Sequence, residues 1–111
     1  MEKVDESKKE FRHGDFGPKY MCRGPKLEWG LLVLKQGQTL GAHGHKQVEE
    51  TFYFLSGKAR MVINGVEHDA FAGTAFRIEP GESHDIIVEG AESIRTVFIK
   101  CPYLPDDKYK V

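Results

Sequence analysis

The sequence predicts an all-β domain, either a sandwich or a barrel, from three features of its residue pattern. Runs of β-branched and aromatic residues recur along the chain, at 51–55, 61–63, 76–78, 86–88 and 94–99. Turn signals that contain glycine, proline or asparagine separate these runs at intervals of about 8–12 residues. Beyond residue 12, no segment carries apolar residues at helical spacing for three turns. Many short strands joined by close turns are typical of sandwiches and barrels.

Two of the turns can be assigned from their residues. Both residues of Asn64-Gly65 tolerate positive φ, so we expect a two-residue type I′ hairpin that joins strands at 59–63 and 66–69. Pro80-Gly81 suits a type II turn, because proline fixes φ at the second position and glycine takes positive φ at the third.

Length and composition indicate one soluble domain that spans residues 1–111. Charged residues make up 30% of the chain, but the formal net charge is only −1, so no overall field favours nucleic acid or an anionic membrane. No apolar run approaches the roughly 20 residues of a spanning helix, and the first residues lack the apolar core of a signal peptide. We therefore expect a cytoplasmic protein that binds neither nucleic acid nor membrane.

The two ends of the chain and its two cysteines complete this outline. Residues 1–10 are expected to be a polar leader, 28–103 the folded core, and 104–111 a loosely held tail. Cys22 and Cys101 are too few for a disulfide framework, so we expect free thiols.

The most informative residues form a set of three histidines and one glutamate: His43, His45, Glu50 and His84. His43 and His45 are two residues apart, so in an extended strand both side chains point to the same face. Glu50 and His84 each open a separate strand-like run. A folded sheet that brings these strands together would gather the four side chains at one place.

Strand alternation places these side chains inside the fold. If Glu50 faces the interior, so do Phe52 and Phe54, and His84 shares its face with Ile86. Buried imidazoles and carboxylates are costly unless they are paired or coordinated. No basic residue of the same parity is evident as a partner, so the pattern predicts a bound cation.

The residues around these donors resemble a known family. Its first sequence motif is matched by a set of spaced residues: Gly37, His43-Gly44-His45, Glu50 and Gly57. This set resembles the first motif of the cupins, and the segment 73–84 resembles their second motif. The resemblance covers roughly residues 28 to 103 and implies a small single-domain cupin with a double-stranded β-helix, or jelly-roll barrel.

Two positions depart from the second motif. Glu79 stands where a proline is often found, and Val88 stands where an asparagine is often found. Neither residue is one of the four donors, so the expected ligand set is complete.

The donor set constrains the ion. Imidazole and carboxylate ligands without cysteine suit one divalent transition metal, namely Fe, Mn, Ni, Co, Cu or Zn. Four protein ligands on an octahedral ion would leave two adjacent positions for water, dioxygen or substrate. A structural zinc site would instead be closed by its four ligands.

A pocket is expected beside the metal. Its expected lining consists of mainly apolar residues: Phe52, Phe54, Met61, Phe76, Arg77 and Ile86. Arg77 and Glu79 precede the turn before His84, where they would bind an anionic substrate, act as acid or base, or form a surface ion pair. The catalytic candidates are Glu50, as a metal ligand, and Glu79.

The family that the chain resembles includes dioxygenases, sugar-phosphate isomerases, decarboxylases and non-catalytic binding modules, and the fold alone does not choose among them. We expect a metal-dependent enzyme that acts on a small polar or aromatic molecule. Oxygenase chemistry is favoured, because two open positions suit it and no proton-shuttling pair is evident. The alternatives are a sugar or sugar-phosphate isomerase, a small-molecule-binding or sensing module, and a motif kept only as architecture.

An expectation about oligomeric state follows from the edges of the sheets. A small jelly roll leaves sheet edges to be covered, and the β-prone segments around 18–22 and 94–103 are expected to pair with a second copy. The sequence therefore predicts a homodimer.

Overall fold

The fold is built from two antiparallel sheets of five strands each, which face each other across a shared core. A computed structural model describes all residues, 1–111. One turn of 3-10 helix at Glu6–Lys8 precedes ten strands. The strands are β1 (Gly17–Arg23), β2 (Glu28–Leu34), β3 (His43–Gly44), β4 (Glu49–Ser56), β5 (Lys58–Ile63), β6 (Val66–Phe71), β7 (Ala75–Ile78), β8 (His84–Glu89), β9 (Ile94–Cys101) and β10 (Tyr109–Lys110). The all-β prediction is confirmed.

Neighbouring strands are mostly distant in sequence. The order is β1-β2-β9-β4-β7 in the first sheet and β10-β3-β8-β5-β6 in the second. β9 therefore lies between β2 and β4, with both of its edges paired. The expectation that the segment 94–103 pairs with a second copy is wrong for this reason, whereas β1 is an edge strand.

The core follows the predicted alternation of the strands. In β4, Glu50, Phe52 and Phe54 are buried, whereas Tyr53 and Leu55 are exposed. The same alternation buries His84 and every second residue after it in β8. Twelve buried apolar residues from both sheets form the core cluster, so side chains of the correct parity fill the space between the sheets.

Both assigned turns are confirmed. Asn64 and Gly65 take positive φ (49° and 81°) between β5 and β6, as a type I′ hairpin requires. Gly81 has φ of 88°, and the N–H of Glu82 donates to the carbonyl of Glu79 at 3.1 Å. Pro80 and Gly81 therefore occupy the two central positions of the turn before His84.

The C-terminal segment is not the loosely held tail that the sequence suggested. Its strand β10 pairs with β3, so that Tyr109 faces Gly44 and Lys110 faces His43. The Asp107 carboxylate accepts three backbone N–H groups, from Lys46, Gln47 and Val48. These contacts span about 60 residues of sequence, which is why no local pattern indicated them.

The glycine between the two histidines has a related explanation. A Cβ on Gly44 would lie 2.6 Å from the Tyr109 hydroxyl oxygen, so the glycine leaves room for the tyrosine of β10.

The polar leader is anchored to the first sheet. Glu6 accepts hydrogen bonds from Arg95 at 2.6 and 2.9 Å and lies 3.4 Å from the Lys19 ammonium. The two cysteines are free, as expected, and the strands that carry them are separated by β2. The structure contains no helix with the length and hydrophobicity that crossing a bilayer requires.

Candidate metal centre

The four predicted donors meet in the interior. One ligand atom from each of His43, His45, Glu50 and His84 lies within 4.8 Å of the others, and all four side chains are buried. Three of them come from the second sheet or its connecting loop, whereas Glu50 reaches in from β4 of the first sheet. The convergence that the sequence predicted is therefore present.

Strand register explains how these donors come together. His43 of β3 and His84 of β8 are direct cross-strand partners, and their ring centroids are 4.3 Å apart. His45 follows His43 by two residues, so its ring emerges on the same side, with centroids 5.5 Å apart. The prediction of a shared face for the two histidines is confirmed.

Backbone carbonyls fix the tautomers of two histidines. Nδ1 of His43 donates to the Gly41 carbonyl at 2.8 Å, and Nδ1 of His45 donates to the Asp107 carbonyl at 2.5 Å. Because a carbonyl can only accept, each Nδ1 carries hydrogen and each neutral ring presents a bare Nε2. Carbonyl groups orient metal-bound histidines in this way.

The remaining contacts test whether these residues suit an ion. Nε2 of His45 and Nε2 of His84 each lie 3.1 Å from Oε1 of Glu50. The His84 contact is out of line for a hydrogen bond, so both nitrogens of this buried ring lack a partner. Histidine lone pairs and a carboxylate oxygen repel one another at 3.1 Å, so a cation or a shared proton has to lie between them. Imidazole and carboxylate donors fit a divalent transition metal.

The protonation states of Glu50 and His43 agree with this fit, whereas the hydrogen bond between His45 and Glu50 favours a protonated ring whose proton an ion would replace. Burial alone would raise the pKa of Glu50, but contacts with His45 and His84 outweigh burial and hold the pKa of this carboxyl well below its usual range. Burial lowers the pKa of His43 to about 4, because it disfavours the charged ring. Burial also opposes the charged form of His45, yet hydrogen bonds to Glu50 and the Asp107 carbonyl raise its pKa. At pH 7, Glu50 is therefore ionised and His43 neutral, as metal ligation requires.

The donors form part of the wall of a cavity of about 120 Å³. Its apolar lining includes Leu32, Leu34, Phe52, Ile86 and Phe98. Its polar lining includes Arg12, Tyr20, Arg23, Glu28, Lys100 and Lys108. A small molecule in this cavity would therefore contact apolar side chains, charged side chains and the four donors.

Only part of the expected pocket lining reaches this cavity. Phe52 and Ile86 line it. Phe54 and Met61 lie instead in the fully buried core. Phe76 packs against that core, 6.2 Å from the Phe54 ring between centroids. Strand alternation predicted the inward parity of these side chains, but their depth along the barrel depends on how the strands are staggered.

Arg77 and Glu79 are also outside the cavity. Arg77 lies opposite Thr51 on the outward face of β7, because its neighbour Ile78 points inward. Its Nε donates to Glu79 Oε1 at 3.0 Å, and both side chains are exposed. The surface ion pair that the sequence left open as an alternative is thus the observed arrangement.

Sequence reasoning missed the polar residues of this cavity lining. Glu28 is 2% exposed, and its Oε2 accepts a hydrogen bond from Arg23 Nε at 2.8 Å. Lys100 is the cross-strand partner of both Glu28 and Glu50. The expectation that no basic residue accompanies Glu50 is therefore wrong. The alternation around 27–31 offered a signal for Glu28, but Lys100 could be placed only by the register of three strands.

Comparisons with known proteins place the chain in a family. A sequence-family model described as the cupin domain matches residues 30–100. A search of curated protein sequences found no match.

Solved structures share the fold. A conserved protein with a double-stranded β-helix domain from Klebsiella pneumoniae is 21% identical, with a TM-score of 0.80 over 98% of this chain and 94% of that one. A predicted oxalate decarboxylase from Thermotoga maritima is 20% identical, with a TM-score of 0.74 over 91% and 99%. CapF, a capsular polysaccharide assembling protein from Staphylococcus aureus, is 19% identical, with a TM-score of 0.78 over 86% of this chain and 32% of CapF. Another CapF structure contains the inhibitor 3-isopropenyl-tropolone.

These likenesses confirm the double-stranded β-helix that the sequence motifs implied. The matched segment includes all four buried donors and most of both sheets. On the family match over residues 30–100, together with this fold, the chain belongs to the cupin family.

Proposed function

We propose that the protein is an enzyme that holds one divalent transition metal at the four donors and acts on a small polar molecule. The observation that carries this proposal is that the bare histidine nitrogens and the Glu50 carboxylate converge on the wall of a cavity. A structural site closed by its ligands would not need such access. When bound, the ion supplies Lewis-acid polarisation of a substrate oxygen.

The polar lining of the cavity supports a reaction type. Glu28 Oε1 lies 4.0 Å from the Lys100 ammonium and makes no closer polar contact, while its Oε2 is held by Arg23. Lys100 in turn donates to the Tyr20 hydroxyl at 3.2 Å. A buried carboxylate beside an ammonium and a phenol is a set of groups that can accept and return a proton. Glu28 therefore replaces Glu79 as the acid-base candidate.

This arrangement favours proton-transfer chemistry, of the isomerase or lyase type, over oxygenase chemistry. The preference for an oxygenase depended on the absence of proton-shuttling groups, and Glu28, Lys100 and Tyr20 supply such groups. In the proposed reaction Glu28 removes a proton from a substrate carbon and returns it to the neighbouring carbon in an isomerisation, or gives it to the leaving group in an elimination. Lys100 and Tyr20 hold the substrate in place, and the apolar part of the lining excludes water.

Oxygenase chemistry is the second candidate, because five apolar side chains in the cavity lining would exclude water from the donors. Under that reading, Glu28 only positions Lys100 and Arg23. A non-catalytic module that binds the same small molecules would use the same cavity without turnover.

Metal analysis tests the centre itself. We expect about one metal ion per chain in the native protein and none after His43, His45 and His84 are all changed to alanine. The matched control is His68→Ala, since His68 is an exposed residue of β6 outside the donor set. Stoichiometric metal in the triple variant would refute the site.

Turnover assays separate the three functional readings. Metal-loaded native protein and Glu28→Gln would be compared on hydroxy-aldehydes, hydroxy-ketones and uronic acids, with oxygen uptake recorded in parallel. Isomerisation or elimination that is lost in Glu28→Gln, with metal content retained, supports the proposal. Oxygen uptake that survives in Glu28→Gln supports the oxygenase. Ligand binding without turnover supports the module.

A further inference from the structure

Four cationic side chains line the cavity, and Arg23 is paired with Glu28, which leaves three from distant parts of the sequence. Arg12 precedes β1, Lys100 lies near the end of β9, and Lys108 precedes β10, yet all three line the same space. Two of them share one partner, because Arg12 Nη2 lies 3.4 Å and Lys100 Nζ 3.2 Å from the Tyr20 hydroxyl oxygen. The fold thus concentrates positive charge at a place where it also encloses a cavity.

The acidic residues that line this cavity leave Arg12 and Lys108 without an ion pair. Glu28 binds Arg23 at 2.8 Å and approaches Lys100 only to 4.0 Å, and Glu50 faces the histidine donors. Asp107 accepts three backbone N–H groups, and Asp85 accepts from the Thr39 hydroxyl and from the backbone of Ile86. Neither Arg12 nor Lys108 forms an ion pair with any carboxylate of the chain.

The positive charges of Arg12, Lys100 and Lys108 repel one another, so an anion bound among them would be stabilised. Burial lowers the pKa of Lys108, and the neighbouring charges of Arg12 and Lys100 lower it further. The Tyr20 hydroxyl accepts hydrogen bonds from two of these cations and donates its own hydrogen to no protein group. An oxyanion placed here would accept that hydrogen and neutralise the cations.

We propose that Arg12, Tyr20, Lys100 and Lys108 form an oxyanion subsite that binds a carboxylate or phosphate group of the substrate. The inference rests on the proposed function, because the same molecule would place another oxygen at the metal donors. Glu28 and Glu50 lie on opposite sides of Lys100, and Glu28 holds the Lys100 side chain in position.

The geometry limits the size of that molecule. Lys100 and Glu50 are cross-strand partners on adjacent strands, so the subsite adjoins the metal donors. The cavity of about 120 Å³ is somewhat smaller than an engineered cavity of about 150 Å³ that holds benzene. The enclosed part of the substrate therefore has about six non-hydrogen atoms, as in a small hydroxy acid, an oxo acid or the end of a sugar acid.

Binding to the metal-free protein tests the subsite without relying on turnover. The probes are glycolate and inorganic phosphate, titrated into native protein while the backbone amide signals are followed by NMR. Arg12→Gln and Lys108→Met are each expected to weaken binding about tenfold, since each removes a charge-assisted contact. Tyr20→Phe is expected to weaken binding while leaving the apolar lining in place.

The matched control is Lys58→Met, which removes the same charge from the opposite end of the barrel. Lys58 is exposed and faces Glu89, whereas the metal end of the same two strands pairs Ile63 with His84. This variant is expected to bind both probes as the native protein does. Stronger binding of glycolate would indicate carboxylate substrates, and stronger binding of phosphate would indicate phosphate esters.

Two results would overturn the subsite. One is binding in the Arg12→Gln/Lys108→Met double variant that stays within twofold of the native protein. The other is native protein that binds neither probe at millimolar concentrations, with or without Mn²⁺. Probe binding by a protein that takes up no metal would instead support the subsite and refute the proposed enzyme, so the two failures are distinguishable.

Discussion

The carbonyl oxygen of Asp107 lies 2.5 Å from Nδ1 of His45, a contact that joins residues 62 positions apart. The same aspartate uses its carboxylate to accept the N–H groups of Lys46, Gln47 and Val48. One residue of the C-terminal segment therefore orients a metal donor and also fixes the loop that follows it.

Asp107→Ala is expected to impair both stability and metal binding. Loss of the carboxylate leaves three backbone donors without their partner, which we expect to lower the free energy of unfolding by about 2 kcal/mol. A less constrained His45 is expected to weaken metal affinity about 10- to 100-fold. Urea unfolding and competition with a chelating dye measure the two effects. Asp106→Ala is the control, and equal metal affinity in both variants would contradict the role of Asp107.

Chelation is expected to lower the melting temperature of the native protein. An ion that binds only the folded chain adds about 4 kcal/mol to the free energy of unfolding when its free concentration is a thousand times its dissociation constant. Scanning calorimetry with and without a chelator measures this loss. The His43→Ala/His84→Ala variant should show no response to chelator, and a native-sized response in that variant would place the metal elsewhere.

Gly44→Ala is expected to disturb the docking of β10. The added methyl group would lie 2.6 Å from the Tyr109 hydroxyl oxygen, so the ring has to move away from β3. We expect a loss of about 1–2 kcal/mol in the native background and a smaller loss in a Tyr109→Ala background. Urea unfolding of the four proteins of this double-mutant cycle gives the coupling. Equal losses in both backgrounds would show that the tyrosine does not explain the glycine.

Glu6→Gln is expected to reduce stability near neutral pH but not in acid. The hydrogen bond from Arg95 is the main cause that lowers the pKa of Glu6, so the folded state favours the ionised form. The contribution is therefore complete above the unfolded pKa of about 4.3 and is lost as the pH falls through the lower folded value. Because the group is partly exposed, we expect only about 0.5–1 kcal/mol at pH 7.

The measurement is the unfolding free energy of native protein and Glu6→Gln from pH 7 down to pH 3. Glu10→Gln is the control, because Glu10 is exposed and forms no ion pair. A difference between native protein and Glu6→Gln that stays constant over this range would contradict the assignment.

A homodimer remains a prediction, with its pairing confined to strands that have a free edge. β1 is such a strand, whereas β9 is enclosed by β2 and β4. Light scattering coupled to size exclusion at micromolar concentration should give twice the chain mass of 12.6 kDa. A single species of one chain mass in the native protein would contradict the dimer.

Consecutive residues carried most of the information about the strands and the donors. The alternation from Glu50 to Leu55 gave the inward face of β4, and Asn64-Gly65 gave the hairpin between β5 and β6. The spacing of His43 and His45 indicated two donors on one face, and the family motifs added Glu50 and His84. Each of these signals depends on the period of a strand or the torsion angles of a turn, which neighbouring residues determine.

Other features depended on which strands became neighbours. Lys100 faces Glu28 and Glu50 only because β9 lies between β2 and β4 in a particular register. Arg77, which was expected in the pocket, and Glu79, the expected acid-base candidate, form an exposed ion pair because Arg77 lies on the outward face of β7. The C-terminal segment, which has no strong strand pattern, became β10 only because β3 offered it an edge.

The sequence by itself therefore determined the all-β class, the faces of the strands and the four side chains proposed as metal donors, because these follow from local periodicity and from side-chain chemistry. The tertiary structure alone decided the composition of the cavity wall, the anchoring of both chain ends and the place of Lys100 beside the metal donors. Such contacts form between strands far apart in the chain, and their register depends on how the whole core packs.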